Sequence, residues 1–328
     1  MIKKTSKIVA LALTAGLAAF ATAGPAPAQD YPNRPVTLIV PFPAGGGVDV
    51  IGRIVAEKLT AALGQQVIVD NRGGAAGVIG TRVAKAAAPD GYTLVMATSG
   101  SIAINPTLYA NPGYEPRKDL APIGLISSTP IVLMAHPSAP QQTLAEVIAF
   151  AKANPGKLDI GTPPPGTSAY LGAELFKSLA GIDFTIVTYK GTGPLTTDLI
   201  GGHVKLALNV LAPALSNLKS DSLRALAVLG PKRSSLLPDV PTSAEAGLPG
   251  FESGLNYGLL APAGTPRAII DKLNKALRAG IDTPEVRARI AADGGDAMPS
   301  SPEEYSADIE REDKKWGDLI RKLKLRID

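Results

Sequence analysis

The 328-residue chain contains no cysteine. That absence excludes disulfide frameworks, zinc–thiolate sites, iron–sulfur clusters and a thiol nucleophile. Histidine is nearly absent as well. His136 and His203 are the only two, which argues against a multi-histidine metal site. Neither belongs to a nucleophile motif, since G-x-S-x-G does not occur, and both read as structural or surface residues. No G-x-G-x-x-G follows the first strand-like run and no G-K-[ST] is present, so dinucleotide and P-loop chemistry are unsupported. Charged residues are sparse at 19%, with no dense basic block to suggest nucleic acid.

What is present is an ordinary globular composition. Hydrophobic residues make up 45%, too many for wholesale disorder. The 34 glycines and 29 prolines show no Gly-X-Y period, so they read as loops rather than collagen. The length suits two domains with a sizeable core.

The first residues read as a leader. Lys3, Lys4 and Lys7 precede an uncharged run from Ile8 to Ala23, and Ala26-Pro27-Ala28 is a small-x-small site before Gln29. This is the pattern of a secretory signal peptide over 1–28, with Ala21-Thr22-Ala23 a second possible cleavage site. The run is short for a membrane span, and no later stretch reaches the roughly eighteen apolar residues that one needs. The mature chain then keeps 30 basic and 29 acidic residues, close to neutral. It reads as a soluble, exported protein.

Downstream, the apolar run from Val36 to Pro41 predicts a buried strand. Val48, Ile51, Val55, Leu59 and Leu63 then recur at helical spacing, between cap-like Asp49 and Gly64. Strands are expected at Val67–Asp70 and Thr93–Thr98, with a helix to about Ala87 between them. That is a βαβαβ unit with parallel pairing. A second α/β unit follows. A capping box at Thr143–Glu146 opens one helix, Ser168 to Ala180 and Pro194 to Ile200 are two more, and strands fall at Leu158–Gly161, Phe184–Val187 and Val204–Asn209. After about Gly250 the chain reads as mostly helical. Thr265-Pro266, Thr283-Pro284 and Ser301-Pro302-Glu303-Glu304 mark helix starts. Trp316 lies on the apolar stripe of the last helix and is expected in the core.

In parallel α/β sheets, ligands bind beyond the carboxyl ends of the strands. The loops there are 41–49, 71–77, 98–101, 161–168 and 189–193. Several are rich in Gly, Ser and Thr, which allow close backbone approach and expose donors, and a following helix adds its positive dipole end. Donors without acceptors favour an anion, phosphate or carboxylate, and two such sets suggest a ligand held between two lobes; with the dinucleotide and P-loop motifs absent, a small carboxylate is the better reading. Asp49 can be read as a general base or, more simply, as a helix N-cap. Lys190 can pair with a carboxylate or stay solvated.

The motifs carrying a family resemblance run in order along the mature chain. They are Y-P-N-R-P (31–35), V-P-F-P-A-G-G-G-V-D (40–49), V-D-N-R-G-G-A-A-G (69–77), P-D-G-Y-T-L (89–94), I-N-P-T-L-Y (104–109), Y-K-G-T-G-P (189–194), L-P-D-V-P-T-S-A-E-A-G-L-P-G (237–250) and A-P-A-G-T-P (261–266). Together they resemble the Bug/TctC family, the extracytoplasmic solute-binding proteins of tripartite tricarboxylate transporters. The resemblance implies an α/β, two-lobed periplasmic binding protein of type II-like form. Each lobe would be a mostly parallel sheet flanked by helices, with the ligand cleft between them. Residues 29–126 plus 251–328 would form lobe 1, and 127–250 lobe 2. It also implies a small dicarboxylic or aromatic acid as ligand, no cofactor, no metal and no enzymatic activity. The partners would be a large and a small integral-membrane subunit, and a monomer is expected.

The expected ligand-binding residues are Phe42, Ala44, Gly45, Gly46, Gly47 and Asp49, then Thr98 and Ser99, then Gly166, Thr167, Ser168 and Tyr170, and finally Tyr189, Lys190 and Asn209. Two departures from the family pattern bear on the ligand. Pro163, Pro164 and Pro165 remove three backbone donors from the second loop, and Tyr170 stands about where the family has histidine. Asn209 stands where a carboxylate is frequent, which argues against an ammonium-bearing ligand. Two other roles fit the same residues: a ligand-sensing adaptor for a membrane receptor, and an exported enzyme acting on small acids.

Overall fold

The computed structural model describes residues 31–328, so the leader expected over 1–28 lies outside the described residues. The first half of the chain follows the expected alternation. Strand β1 (Val36–Val40), helix α1 (Gly47–Leu63), β2 (Val67–Asn71), α2 (Val78–Lys85) and β3 (Thr93–Thr98) succeed one another. Strand β1 pairs in parallel with both β2 and β3. Val36, Leu38, Ile39 and Val40 are buried, as a strand covered on both faces requires. Helix α1 packs Ile51, Ile54, Val55 and Leu59 onto that sheet and stops at Gly64, whose left-handed φ of 70° lets its N–H return to Thr60. Its start differs from expectation. Gly46, not Asp49, is the N-cap, and no side chain caps the helix.

The second half repeats the arrangement after a long strand. Strand β4 (Leu120–Ala135) leads to α3 (Leu144–Ala153), β5 (Asp159–Thr162), α4 (Ser168–Ala180), β6 (Thr185–Thr188), α5 (Thr192–Ile200) and β7 (Leu206–Val210). Strand β5 pairs in parallel with β6 and β7. Thr143 caps α3, but the Glu146 carboxylate accepts from the Gln142 N–H, one residue beyond the expected box. Then come β8 (Arg224–Val228), β9 (Gly254–Pro262), α6 (Arg267–Ile281), α7 (Pro284–Ala292), β10 (Asp296–Ala297) and α8 (Pro302–Leu323). The tail is mostly helical, as expected, but it opens with the nine-residue β9, which the sequence reading did not anticipate. Thr283 and Ser301 cap their helices as expected. Thr265 does not. Pro266 occupies the N-cap of α6, and the Thr265 hydroxyl donates to Pro262 O.

The strand order is β2-β1-β3-β9-β4-β7-β5-β6, a mixed α/β sheet with a parallel set at each end. Strands β4 and β9 join the sets. Residues Leu120–Pro130 of β4 run antiparallel to β9, and Ile131–Ala135 pair with β7. Local signals hide β4, because Pro122, Gly124 and Pro130 all read as breakers. The strand absorbs the first two through register shifts at Pro122/Gly124 and at Leu125/Ser127.

Separate apolar cores lie at the two ends. One gathers Leu38, Leu59, Leu94, Leu259 and Leu273. The other gathers Leu133, Ile160, Phe176, Phe184, Leu208 and Phe251, with Phe176 and Phe251 stacked at 4.7 Å. A smaller cluster bridges them, where Trp316 and Ile320 of α8 meet Ile104, Leu108 and Leu171 of α4. Trp316 is fully buried, as expected, and its indole N–H donates to Glu312 at 2.9 Å. Replacing it should therefore loosen both ends at once. Trp316→Ala is expected to cost about 3–5 kcal/mol in urea unfolding. Circular dichroism should follow the transition, because the substitution removes the chain's only tryptophan. A loss below about 1 kcal/mol would mean that α8 is not anchored through this side chain.

Candidate functional site

The loops at the carboxyl ends of the parallel strands come together. Residues 41–46 follow β1, 72–77 follow β2, and Ser99 with the π-helical turn Gly100–Ile104 follows β3. Within this group the Phe42 ring and Ser101 crowd Gly77, and Pro43 crowds Gly73. The loop after β5 reaches this group from the other end of the sheet. A Cβ built on Gly100 would lie 2.6 Å from the Gly166 carbonyl oxygen, and one on Gly166 would lie 2.5 Å from Asn105 Oδ1 and 3.1 Å from Ala76 Cβ.

The first loop is held in shape by Asp49. Its carboxylate accepts from the Gly45 N–H, from Arg53 Nε and from Asn71 Nδ2, each at 2.9 Å. Asn71 also donates to Phe42 O at 3.1 Å. Burial pushes the Asp49 carboxyl up. The hydrogen bonds from Arg53, Gly45 and Asn71, with the Arg53 charge, outweigh burial and hold it below the ordinary carboxylate range. A carboxylate so committed is a weak base and is closed to a ligand. Its effect is to present Ala44, Gly46 and Gly47, all exposed, at the start of α1. The first N–H groups of a helix have no acceptor one turn back, and the dipole makes that end positive.

The second loop offers a similar end. Gly166 turns with a φ of 88° and Thr167 caps α4, accepting from the Tyr170 N–H. The Thr167 hydroxyl donates to Pro164 O at 2.8 Å, so the proline run both removes donors and anchors the cap. Ser168 is buried, and its Oγ has no hydrogen-bond partner among the described residues. Its carbonyl accepts from Ser253 Oγ at 2.8 Å, which ties α4 to the start of β9.

Other expected residues are turned elsewhere. Thr98 is engaged with Ser101 inside the π turn, and Ser99 Oγ accepts from the Asn256 N–H. Tyr170 packs beside the Trp316 cluster, where burial and then Glu174 raise its pKa. Tyr189 packs against the Leu195–Leu199 cluster, its pKa raised by burial and then by Asp198. Lys190 is exposed and forms no ion pair among the described residues. Asn209 is buried. It donates to Thr192 O and Thr196 Oγ1, and its Oδ1 accepts from the Val210 N–H. The Asn209 amide thus braces the first turn of α5, so the argument that it selects against an ammonium loses its contact. His136 and His203 are both surface residues, the first hydrogen-bonded to Ser138.

Reading the sequence missed Asn71 and Asn105, although both sit inside conspicuous motifs, V-D-N-R and I-N-P-T. Asn105 is fully buried and donates to Ala76 O at 2.9 Å. Among the described residues no group of His, Cys, Asp and Glu is placed to hold a metal, and no helix is long and apolar enough to cross a membrane. A cavity of about 430 Å³ lined by Ser128, Lys232, Asn256, Asp296 and Lys315 shares no residue with these loops.

Known proteins match nearly the whole chain. Residues 51–325 fit the family described as tripartite tricarboxylate transporter family receptor. Protein BugT of Bordetella pertussis is 37% identical over 94% of this chain and 93% of its own length. The solved R. palustris protein Rpa4515 with adipate is 33% identical, covers 90% of this chain and all of its own, and superposes with a TM-score of 0.83. MatC from Rhodopseudomonas palustris with bound malate is 31% identical, covers 88% of this chain and all of its own, and has a TM-score of 0.80.

The Asp49 bonds predict a pH signature. A carboxyl with a lowered folded pKa stabilises the fold above its unfolded value, about 3.9, and loses that contribution as pH falls through the folded value. Asp49→Asn is therefore expected to be less stable than wild type in urea at neutral pH. The gap should shrink as pH falls below the ordinary carboxylate range. Equal gaps at both ends of the titration would mean that the charge is not what holds the loop.

Proposed function

The chain belongs to the tripartite tricarboxylate transporter receptor family, the Bug/TctC group of periplasmic solute-binding proteins. From that membership we propose that it captures a small dicarboxylate between two lobes and delivers it to a large and a small membrane subunit of a tripartite transporter. Lobe 1 comprises 29–126 and 251–328, lobe 2 comprises 127–250, and β4 and β9 form the hinge. The leader directs the chain to the periplasm and is removed before Gln29. The protein acts by binding and release, without turnover.

One observation carries this reading. Two helix N-termini, those of α1 and α4, are presented by loops of opposite lobes: the α4 loop meets the loops after β2 and β3 at Gly166, and the α1 loop packs on the loop after β2 at Gly73 and Gly77. Each presents backbone donors and the positive end of a dipole, which suits one carboxylate apiece. The nearby Asp49 carboxylate is occupied by Gly45, Arg53 and Asn71, so it does not oppose an anion. The bound adipate of Rpa4515 and the malate of MatC support the same ligand class. Closure follows as a population shift, because only the shut arrangement brings both donor sets to one molecule.

Thermal unfolding of the mature protein against C4–C6 dicarboxylates, citrate, benzoate, phthalates, nicotinate, Asp and Glu tests the ligand class. A ligand at a hundred times its Kd adds about 2.7 kcal/mol, and a dicarboxylate is expected to give the largest shift. No shift with any acid would overturn the carboxylate reading. Gly46→Val is expected to abolish binding while the fold survives. A Cβ there meets only Pro43 O, at 3.6 Å, so the obstruction falls on the ligand. Ser168→Ala should weaken binding by about 1–3 kcal/mol, the loss of a hydrogen bond to a charged group. Unchanged affinity in either variant would remove that loop from the site.

A further inference from the structure

Gly100 and Gly166 are crowded by atoms across the cleft rather than by their own surroundings. The nearest atom to a Cβ on Gly100, after Gly166 O at 2.6 Å, is Thr98 Oγ1 at 3.5 Å, an ordinary contact inside its own lobe. For Gly166 the three nearest atoms, Asn105 Oδ1 at 2.5 Å, Ala76 Cβ at 3.1 Å and Asn105 Cγ, all lie on the opposite lobe. The two backbones therefore meet with no side chain between them.

The lobe 1 side of this contact is stiff. Ala75 and Ala76 hold left-handed φ values of 46° and 50°, which non-glycine residues adopt only when the surroundings impose them. The fully buried Asn105 imposes it here through its bond to Ala76 O at 2.9 Å. Its Oδ1 has no donor among the described residues and faces Gly166. Ala76, Gly100 and Asn105 thus form a socket in which the Gly166 backbone seats.

We propose that this socket is a closure stop. Protein backbone meeting protein backbone, and not the ligand, sets how far the lobes shut. The stop then fixes the length of the closed cleft and with it the longest diacid that fits. Asn105 acts as a positioning residue, keeping the Ala75–Ala76 turn in place. This rests on the two-lobe binding reading above.

The test is Gly100→Ala. Its φ is not left-handed, so the added methyl meets resistance only from the other lobe. Gly181→Ala is the control. It carries a left-handed φ of 61° with nothing within 4 Å, so it reports backbone strain without touching the cleft. Calorimetry with a C4-to-C8 series of linear diacids reads affinity and length preference. Spin labels on cysteines introduced at Val83 and Ile200, both exposed, read the inter-lobe distance, and the cysteine-free chain makes those labels unique.

Gly100→Ala is expected to lose the short-distance population. It should bind the best wild-type diacid at least about tenfold more weakly and move its preference toward longer acids, while Gly181→Ala behaves as wild type in both readouts. Wild-type affinity and length preference in Gly100→Ala would overturn the stop. So would an equal loss for every acid at unchanged inter-lobe distance, or a wild type with no short-distance population under any condition. If the wild type closes but binds no diacid, the ligand reading fails alone, and the distance change in Gly100→Ala decides the stop.

Discussion

Strand β4 hydrogen-bonds to β9 along its first eleven residues and to β7 along its last five, so one continuous ladder links two separate apolar cores. A loop between the two cores would let them drift. A ladder holds them on one shared line of hydrogen bonds, and the register shifts at Pro122/Gly124 and Leu125/Ser127 put irregular pairing on that line. The loops that face each other across the sheet owe their proximity to this strand. Helix α8 adds a second restraint from the side, through Trp316 and Ile320 against Leu171 of α4.

Polar side chains near the loops divide by what they bond. Asp49, Asn71, Thr98, Ser99, Thr167 and Asn209 are committed to backbone groups and neighbouring side chains of the protein. They shape turns. What is left facing the gap is mainly the first amides of α1 and α4, whose acceptors a helix cannot supply. On the proposed binding reading, recognition is electrostatic and geometric, with few side chains dedicated to it. Tyr170, by contrast, packs beside the Trp316 cluster.

Much of the fold was legible in the sequence where the signal is local. The spacing of Val48, Ile51, Val55 and Leu59 marked α1, Thr283-Pro284 and the Ser301 capping box marked two helix starts, and Ser168–Ala180 is a helix over the stated residues. The glycine-rich loops after β1, β2 and β5 were recognisable because close backbone approach requires glycine. Strands β4 and β9 were not legible, since Pro122, Gly124 and Pro130 look like breakers until a partner strand supplies the pairing that tolerates them. The orientation of Asn209 was hidden for a related reason. Whether an amide faces a ligand or braces a helix depends on which acceptors arrive beside it, and Thr192 and Thr196 arrive from a separate element.

The sequence by itself determined the order of helices and strands in each parallel set, the absence of thiol chemistry, and the family to which the motifs belong. These follow from periodicity, capping and residue type, which act over a few positions. Tertiary structure decided which loops meet, which polar groups remain open and what crowds Gly100 and Gly166. Those properties depend on contacts between residues far apart in the chain. Asn105 shows the division. Its place in I-N-P-T-L-Y can be read from the sequence, but its hold on Ala76 and its approach to Gly166 exist only once the sheet has brought its two ends together.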